Sequence, residues 1–304
     1  MSQVSTHALL PRLALIARDI KLAHSVFALP FAILGAFLAH EPQASALRFS
    51  GQLTLIVVCM VAARTWAMLV NRLADRRIDA KNPRTAARVF ASGELGARFG
   101  AVVLAGSGLA FILAASGFGL AFDNWLPVAL SVPVLAWIAL YSFTKRFTWL
   151  CHVLLGGALA VSPLAAGIAV RPEYLLESAT LWWIAAMVAA WVAGFDVVYA
   201  LADLDFDREA QLNSIPARFG ATGALWISRA LHGAAFAALV LAWRSDDRLG
   251  LLTGGAVIFV GGLLIAEHVV LARRGQSGLD LAFFTLNGIV SCVLGLAGSI
   301  DTLV

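Results

Sequence analysis

The chain has 304 residues, 61% of them hydrophobic and only 13% charged, and a water-soluble domain of this size has too little interior to hide so much apolar surface. Its formal net charge of +4 is scattered through short links with no basic soluble domain, which excludes a nucleic-acid partner. Cys59, Cys151 and Cys292 stand singly in apolar stretches, without metal-ligand spacing or a disulfide framework.

The opening stretch, "MSQVSTHALLPRLALIARDIKLAHS", lacks the short apolar core and small-residue cleavage site of a signal peptide. Leu9, Leu10, Leu13 and Ile16 recur at helical spacing beside Arg12 and Arg18, which predicts an interfacial helix within residues 1–19. Windows of roughly 20 apolar residues follow, about nine in number, each long enough to cross about 30 Å of hydrocarbon. They run from Ile20 to Ala39, Gln52 to Ala74, Ala97 to Leu120, Trp125 to Phe143, Leu150 to Val170, Thr180 to Ala202, Ala221 to Trp243, Leu249 to Leu271 and Leu279 to Ile300. The expected fold is an all-α integral membrane protein, a bundle of nine transmembrane helices in one domain over residues 1–304. Pro30 and Pro163 are expected to kink their helices. His24 has no second ligand at useful spacing and reads as a hydrogen-bonded helix residue.

Arg12, Arg18 and Lys21 precede the first window. Arg72, Arg76, Arg77, Lys81, Arg84, Arg88 and Arg98 link the second and third, Lys145 and Arg146 the fourth and fifth, Arg208 and Arg218 the sixth and seventh, and Arg273 and Arg274 the last two. The alternate links carry only Arg48, Arg171, Arg244 and Arg248. Because cytoplasmic links retain lysine and arginine, the N-terminus is expected in the cytoplasm, the C-terminus outside, and the charge-rich links on the cytoplasmic face.

At that face, "NRLADRRID" places Asn71, Asp75 and Asp79 at i, i+4 and i+8, on one side of the end of the second helix. "GFDVVYALADLDFDREAQLNSIPARFG" repeats the spacing with Tyr199, Asp203 and Asp207 at the end of the sixth. A single DxxxD at a helix end is usually a solvated face whose arginines pair at i+4. Two such ladders on one side of the membrane, each followed by basic residues, point instead to hard divalent cations, with a diphosphate between the ladders. Arg64 precedes Asn71 by seven residues inside "VAARTWAML", and Asp196 precedes Tyr199 by three inside "WVAGFDVVY", so each continues its ladder into the apolar segment. They read either as a buried salt bridge with each other or as the floor of a polar pocket for an acceptor. "LYSFTKRFT" adds Tyr141 and Lys145, four apart, where a lysine serves as an interface anchor or reaches a leaving diphosphate.

With these motifs, the chain resembles the UbiA superfamily of intramembrane aromatic prenyltransferases over nearly its whole length. Within it, "KLAHSVFALPFAILGA", "NRLADRRIDAKNPRT" and "DREAQLNSIPARFG" resemble the 4-hydroxybenzoate polyprenyltransferase branch, and more closely its relative in futalosine-pathway menaquinone synthesis. The resemblance implies transfer of a polyprenyl group from its diphosphate to a hydroxylated aromatic acid, with two Mg2+ ions held by Asn71, Asp75, Asp79, Asp203 and Asp207. It makes Lys145, Tyr199 and Asp196 catalytic candidates and gives substrate binding to Arg64, Arg72, Arg84, Arg88 and Tyr141. Family members commonly have a Leu-Pro-Ser-Gly-like turn where this chain reads Arg88-Val89-Phe90-Ala91-Ser92-Gly93, and losing that proline is expected to loosen the turn. A cation-coupled transporter, a noncatalytic lipid-binding scaffold and a prenyltransferase acting on haem or chlorophyllide are the alternatives. Transporter sites, however, usually lie near the midplane at broken helices.

Overall fold

Hydrocarbon offers backbone polar groups no partner, so each apolar window must satisfy its own N–H and C=O groups as a helix. The computed structural model describes residues 9–20, 22–41, 43–275, 279 and 281–304; residues 1–8, Lys21 and the side chain of His24 lie outside the described residues. In chain order the helices are α1 (Leu9–Asp19), α2 (Leu29–Ala39), α3 (Ala46–Asp79), α4 (Ala97–Phe122), α5 (Leu126–Thr144), α6 (Cys151–Val170), α7 (Tyr174–Glu177), α8 (Thr180–Tyr199), α9 (Leu204–Glu209), α10 (Ile215–Arg244), α11 (Leu251–Arg274) and α12 (Asn287–Asp301). A 3₁₀ turn, Leu22–Phe27, precedes α2; another, Ala200–Asp203, joins α8 to α9; and a π-helical turn, Leu281–Leu286, leads into α12.

Among the described residues, 8 helices are long and apolar enough to cross a membrane. The first expected span differs, because a 3₁₀ turn is followed by only the 11 residues of α2. Pro30 stands in the first turn of α2, where a missing N–H costs nothing, so it starts a helix and does not kink one. Pro163 does lie within a helix, α6. The 34 residues of α3 exceed the expected window at both ends. At 1.5 Å per residue α3 is about 51 Å long, which outruns roughly 30 Å of hydrocarbon.

The centre of the bundle is α8, packed chiefly against α10 and α6. Trp191 is fully buried there, edge-on to Phe31 at 5.6 Å and to Phe195 at 5.0 Å, while its indole N–H donates to Asn287 Oδ1 at 2.6 Å. Without a hydrophobic drive between helices in lipid, close approach depends on small residues. Gly35 of α2 provides one: a Cβ there would collide with the carbonyl oxygen of Pro163 on α6. Large apolar side chains such as Val102, Leu120, Leu251 and Ile258 are exposed on the outer surface, as a lipid-facing surface requires.

The turn after α3 is packed. Val89 and Phe90 are buried with Ile16, Ile20, Leu69 and Leu95, and Leu95 N donates to Val89 O at 3.0 Å. Gly93 takes φ +82°, a conformation that side chains resist. The expected looseness is offset by Phe90, whose ring fills the space beside Gly100.

Candidate functional site

A cavity of about 830 Å³ opens at the end of the bundle where α3 and α8 finish. Both acidic ladders line it, Met60, Ile138, Leu155, Leu159 and Phe284 give it apolar walls, and Arg64, Tyr141 and Asp196 also face it.

The first ladder stands on one face of α3, as its spacing predicts. Asp75 is 1% exposed and is reached by Lys145 Nζ at 2.8 Å, by an Arg146 guanidinium nitrogen at 2.9 Å and by the Asn71 amide at 3.3 Å. Arg88 donates to both oxygens of Asp79 at 2.8 Å. The second ladder crosses the 3₁₀ turn Ala200–Asp203, which advances each residue about 120° where an α-helix advances about 100°, so its groups do not repeat the α3 geometry. Asp203 accepts from Asn82 Nδ2 at 2.9 Å and Arg84 Nε at 2.8 Å, and a second Arg84 nitrogen closes the fork on its other oxygen. Arg84 also donates to the Tyr199 hydroxyl at 2.9 Å. Asp207 lines the cavity and has no ion pair among the described residues. The link after α3 therefore bridges the two ladders. Burial works against the Arg84 charge, but the hydrogen bonds and charge of Asp203 outweigh it, holding the guanidinium pKa above its ordinary value.

The two basic residues Arg72 and Arg146 differ from what their positions in the sequence suggest. Arg72 is 6% exposed and turns toward α1, donating through Nε to Asp19 at 3.1 Å and through another nitrogen to Asn71 Oδ1 at 2.9 Å. The other Asp19 oxygen accepts from Val89 N at 3.1 Å, so α1, α3 and the packed turn meet at one carboxylate. Arg146, a topology signal in the sequence, is a direct partner of Asp75.

Arg64 and Asp196 do not pair. The Asp196 Oδ2 atom accepts from His152 Nδ1 at 2.7 Å, while Arg64 Nε is buried without a hydrogen-bond partner and Arg64 has no ion pair among the described residues. A cation in the wall of a cavity with no counter-ion is costly unless something anionic enters. His152, Asn82, Arg146 and Asp19 are site residues that sequence spacing did not single out. His152 had a faint signal as a polar residue seven after Lys145 at the start of an apolar window.

Among the described residues, no three His, Cys, Asp or Glu side chains stand close enough to hold a metal ion by themselves. The oxygen donors instead surround the cavity in ones and twos. That fits magnesium, which takes one or two protein carboxylates and completes its octahedron with water and phosphate oxygens.

A model of the "UbiA prenyltransferase family" matches residues 28–289. A 4-hydroxybenzoate octaprenyltransferase of Shewanella baltica is 33% identical over 240 residues, 77% of this chain and 79% of the relative. One from Chromohalobacter salexigens is 30% identical over 238 residues, 77% of this chain and 75% of that one. Among solved structures, the apo form of a UbiA homologue from Aeropyrum pernix superposes with a TM-score of 0.81 at 30% identity, covering 92% of this chain and 98% of the other. A UbiA homologue from Archaeoglobus fulgidus bound to GPP and Mg2+ shares the fold at a TM-score of 0.68 and 19% identity, covering 95% and 100%.

Proposed function

Because the chain belongs to the UbiA prenyltransferase family and is a transferase of prenyl groups, we propose that it prenylates a hydroxylated aromatic carboxylic acid. The donor is a polyprenyl diphosphate, the acceptor 4-hydroxybenzoate or 1,4-dihydroxy-6-naphthoate, and the product a precursor of ubiquinone or menaquinone. The observation that carries this reading is a single cavity lined by a ladder of paired charges, by Asp196 and by Arg64, which has no ion pair among the described residues. The curated relatives named above support the acceptor class.

Asn71, Asp75, Asp79, Asp203 and Asp207 would hold two Mg2+ ions, which would stabilise the charge developing on the diphosphate. Lys145, Arg84 and Arg88 now neutralise the ladder carboxylates, and each turns to a phosphate oxygen when the donor binds. The allylic carbon–oxygen bond breaks, and the diphosphate leaves with the electron pair. The apolar wall keeps water from the allylic cation. The Arg84 guanidinium lies over the Tyr199 ring at 5.1 Å, so its turn to the phosphate frees the negative face of that ring for the allylic cation.

Arg64 holds the acceptor's carboxylate, with Tyr141 forming the adjoining wall, and Asp196 takes a hydrogen bond from its hydroxyl, which raises electron density at the ortho carbon. That carbon bonds to the allylic carbon. The ring proton then passes to the departing diphosphate, and aromaticity returns. The distribution of basic residues supports a site on the cytoplasmic side of a bacterial inner membrane.

The test is product formation by membranes carrying the protein, with a polyprenyl diphosphate, Mg2+ and each acid in turn, and Asp75→Ala as control. One prenylated acid, absent from the control, establishes the reaction and selects the acceptor. No product from either acid overturns the acceptor class.

A further inference from the structure

A carboxylate on a helix has two equivalent oxygens and two rotatable bonds, so offering one oxygen to a substrate hydroxyl in a constant direction requires a partner on the other. Asp196 has such a partner. Its Oδ2 atom lies 2.7 Å from Nδ1 of His152, a residue 4% exposed in the first turn of α6. Asp196 Oδ1 makes no hydrogen bond among the described residues, and the residue lines the cavity.

The proton on the His152 ring can be placed from its second contact. Ile215 N, at the start of α10, points at His152 Nε2 from 3.3 Å. A backbone N–H only donates, so Nε2 is the acceptor and the ring proton sits on Nδ1, directed at Asp196. The backbone of one helix thus sets the tautomer on a second, and that tautomer aims a carboxylate on a third. The neighbouring contacts hold the arrangement: Cys151 Sγ lies 3.4 Å from Asn213 O, and Asn213 N donates to Lys145 O at 2.7 Å. The strap that seats His152 is therefore tied to the link that carries Lys145.

Resting on the acceptor chemistry proposed above, we propose that His152 is a positioning residue. It fixes Asp196 Oδ2, turns Oδ1 toward the acceptor's hydroxyl and acts on the reaction only through that carboxylate. Tyr199 and Lys145 belong to the donor side, so removing the His152 hydrogen bond affects the acceptor and leaves donor binding intact.

The experiment is a double-mutant cycle on the full chain in membranes, measuring kcat and the KM of the aromatic acid and of the prenyl diphosphate separately. His152→Leu and His152→Phe remove the donor, the second keeping a ring of similar volume. Each is expected to lower kcat/KM for the acid by about tenfold or more, the scale of a hydrogen bond to a charged group, with the KM of the diphosphate unchanged. His152→Gln, whose amide supplies both a donor and an acceptor, is expected to restore most of the loss. In the Asp196→Asn background the same substitutions should cost less than about twofold, because residues that act as one unit are not additive. Wild-type constants in both His152→Leu and His152→Phe, or an equal loss in the two backgrounds, would overturn the positioning role while leaving that of Asp196 standing. Full turnover by Asp196→Asn alone would overturn the polarising role and this inference together.

Discussion

At the end of the bundle remote from the cavity, where α10 turns back into α11, an arginine and an aspartate also meet. Arg248 donates to Asp246 at 3.0 and 2.8 Å and to the Leu38 carbonyl at 2.8 Å, and the Tyr174 hydroxyl donates to Asp246 at 2.7 Å. The ion pair spans only two residues of sequence, and its charges are matched in place. At the cavity end the partners come from distant elements: Asp75 of α3 meets Lys145 and Arg146 beyond α5, and Asp203 meets Asn82 and Arg84. Those pairs surround about 830 Å³ of open space, and Arg64 beside them has no ion pair among the described residues. An ion pair by itself therefore says little about chemistry. Charge that converges from separate helices on a cavity, with one member unmatched among the described residues, distinguishes the end where we propose the site.

That contrast can be tested, beginning with the largest expected effect. Asp75→Ala removes one of the carboxylates we propose as Mg2+ ligands and leaves Lys145 and Arg146 without their partner; prenyl transfer should fall by about 10²- to 10³-fold, read by product formation at saturating substrates. Arg64→Ala should act on the acceptor alone, raising the KM of the aromatic acid by roughly 10- to 100-fold, the scale of a charge-assisted hydrogen bond. An unchanged acceptor KM would remove the carboxylate role from Arg64. Arg88→Gln uncovers Asp79, so Mn2+ should bind several-fold tighter in the absence of diphosphate while the diphosphate binds several-fold more weakly. Electron paramagnetic resonance of free Mn2+ and competition by a prenyl diphosphate analogue would measure the two halves, and equal weakening of both would refute the exchange of partners.

The smallest effect belongs to the remote end. Burial works to raise the pKa of Asp246, but its hydrogen bonds to Arg248 and Tyr174 outweigh this and hold it below the ordinary carboxylate value. A depressed folded-state pKa stabilises the protein above the unfolded value of about 3.9, and that contribution is lost as pH falls through the folded value. Asp246→Asn should therefore cost about 1 kcal/mol near neutral pH and progressively less on acidification below about pH 4. Thermal midpoints in detergent would show this, with prenyl transfer at neutral pH unchanged.

The architecture was largely legible in the apolar windows, because a helix that must satisfy its backbone in hydrocarbon leaves a run of roughly 20 residues whatever packs against it. The exception is instructive: the window from Ile20 to Ala39 reads as one span, yet Pro30 begins α2 and the stretch before it is a 3₁₀ turn. Window averages record hydrophobicity and miss where a proline can stand. The first ladder was legible for the same local reason, since a spacing of four on an uninterrupted helix aligns Asn71, Asp75 and Asp79. The second was legible only as composition, because the turn at Ala200–Asp203 changes the angular step.

By itself, then, the order of residues determined an all-helical membrane protein, two acid-rich helix ends and a set of intramembrane charges. Each follows from a rule acting over a few adjacent residues: the length of an apolar run, the period of a helix, the cost of a charge in lipid. The tertiary structure decided the pairings. Asp196 met His152 instead of Arg64, Arg72 turned to Asp19, Arg84 crossed to Asp203, and Arg64 was left lining the cavity with no ion pair among the described residues. Hydrogen bonds and ion pairs act over about 3 Å, and only the packing of α1, α3 with the link after it, α6 and α8 brings these side chains, far apart in sequence, within that distance.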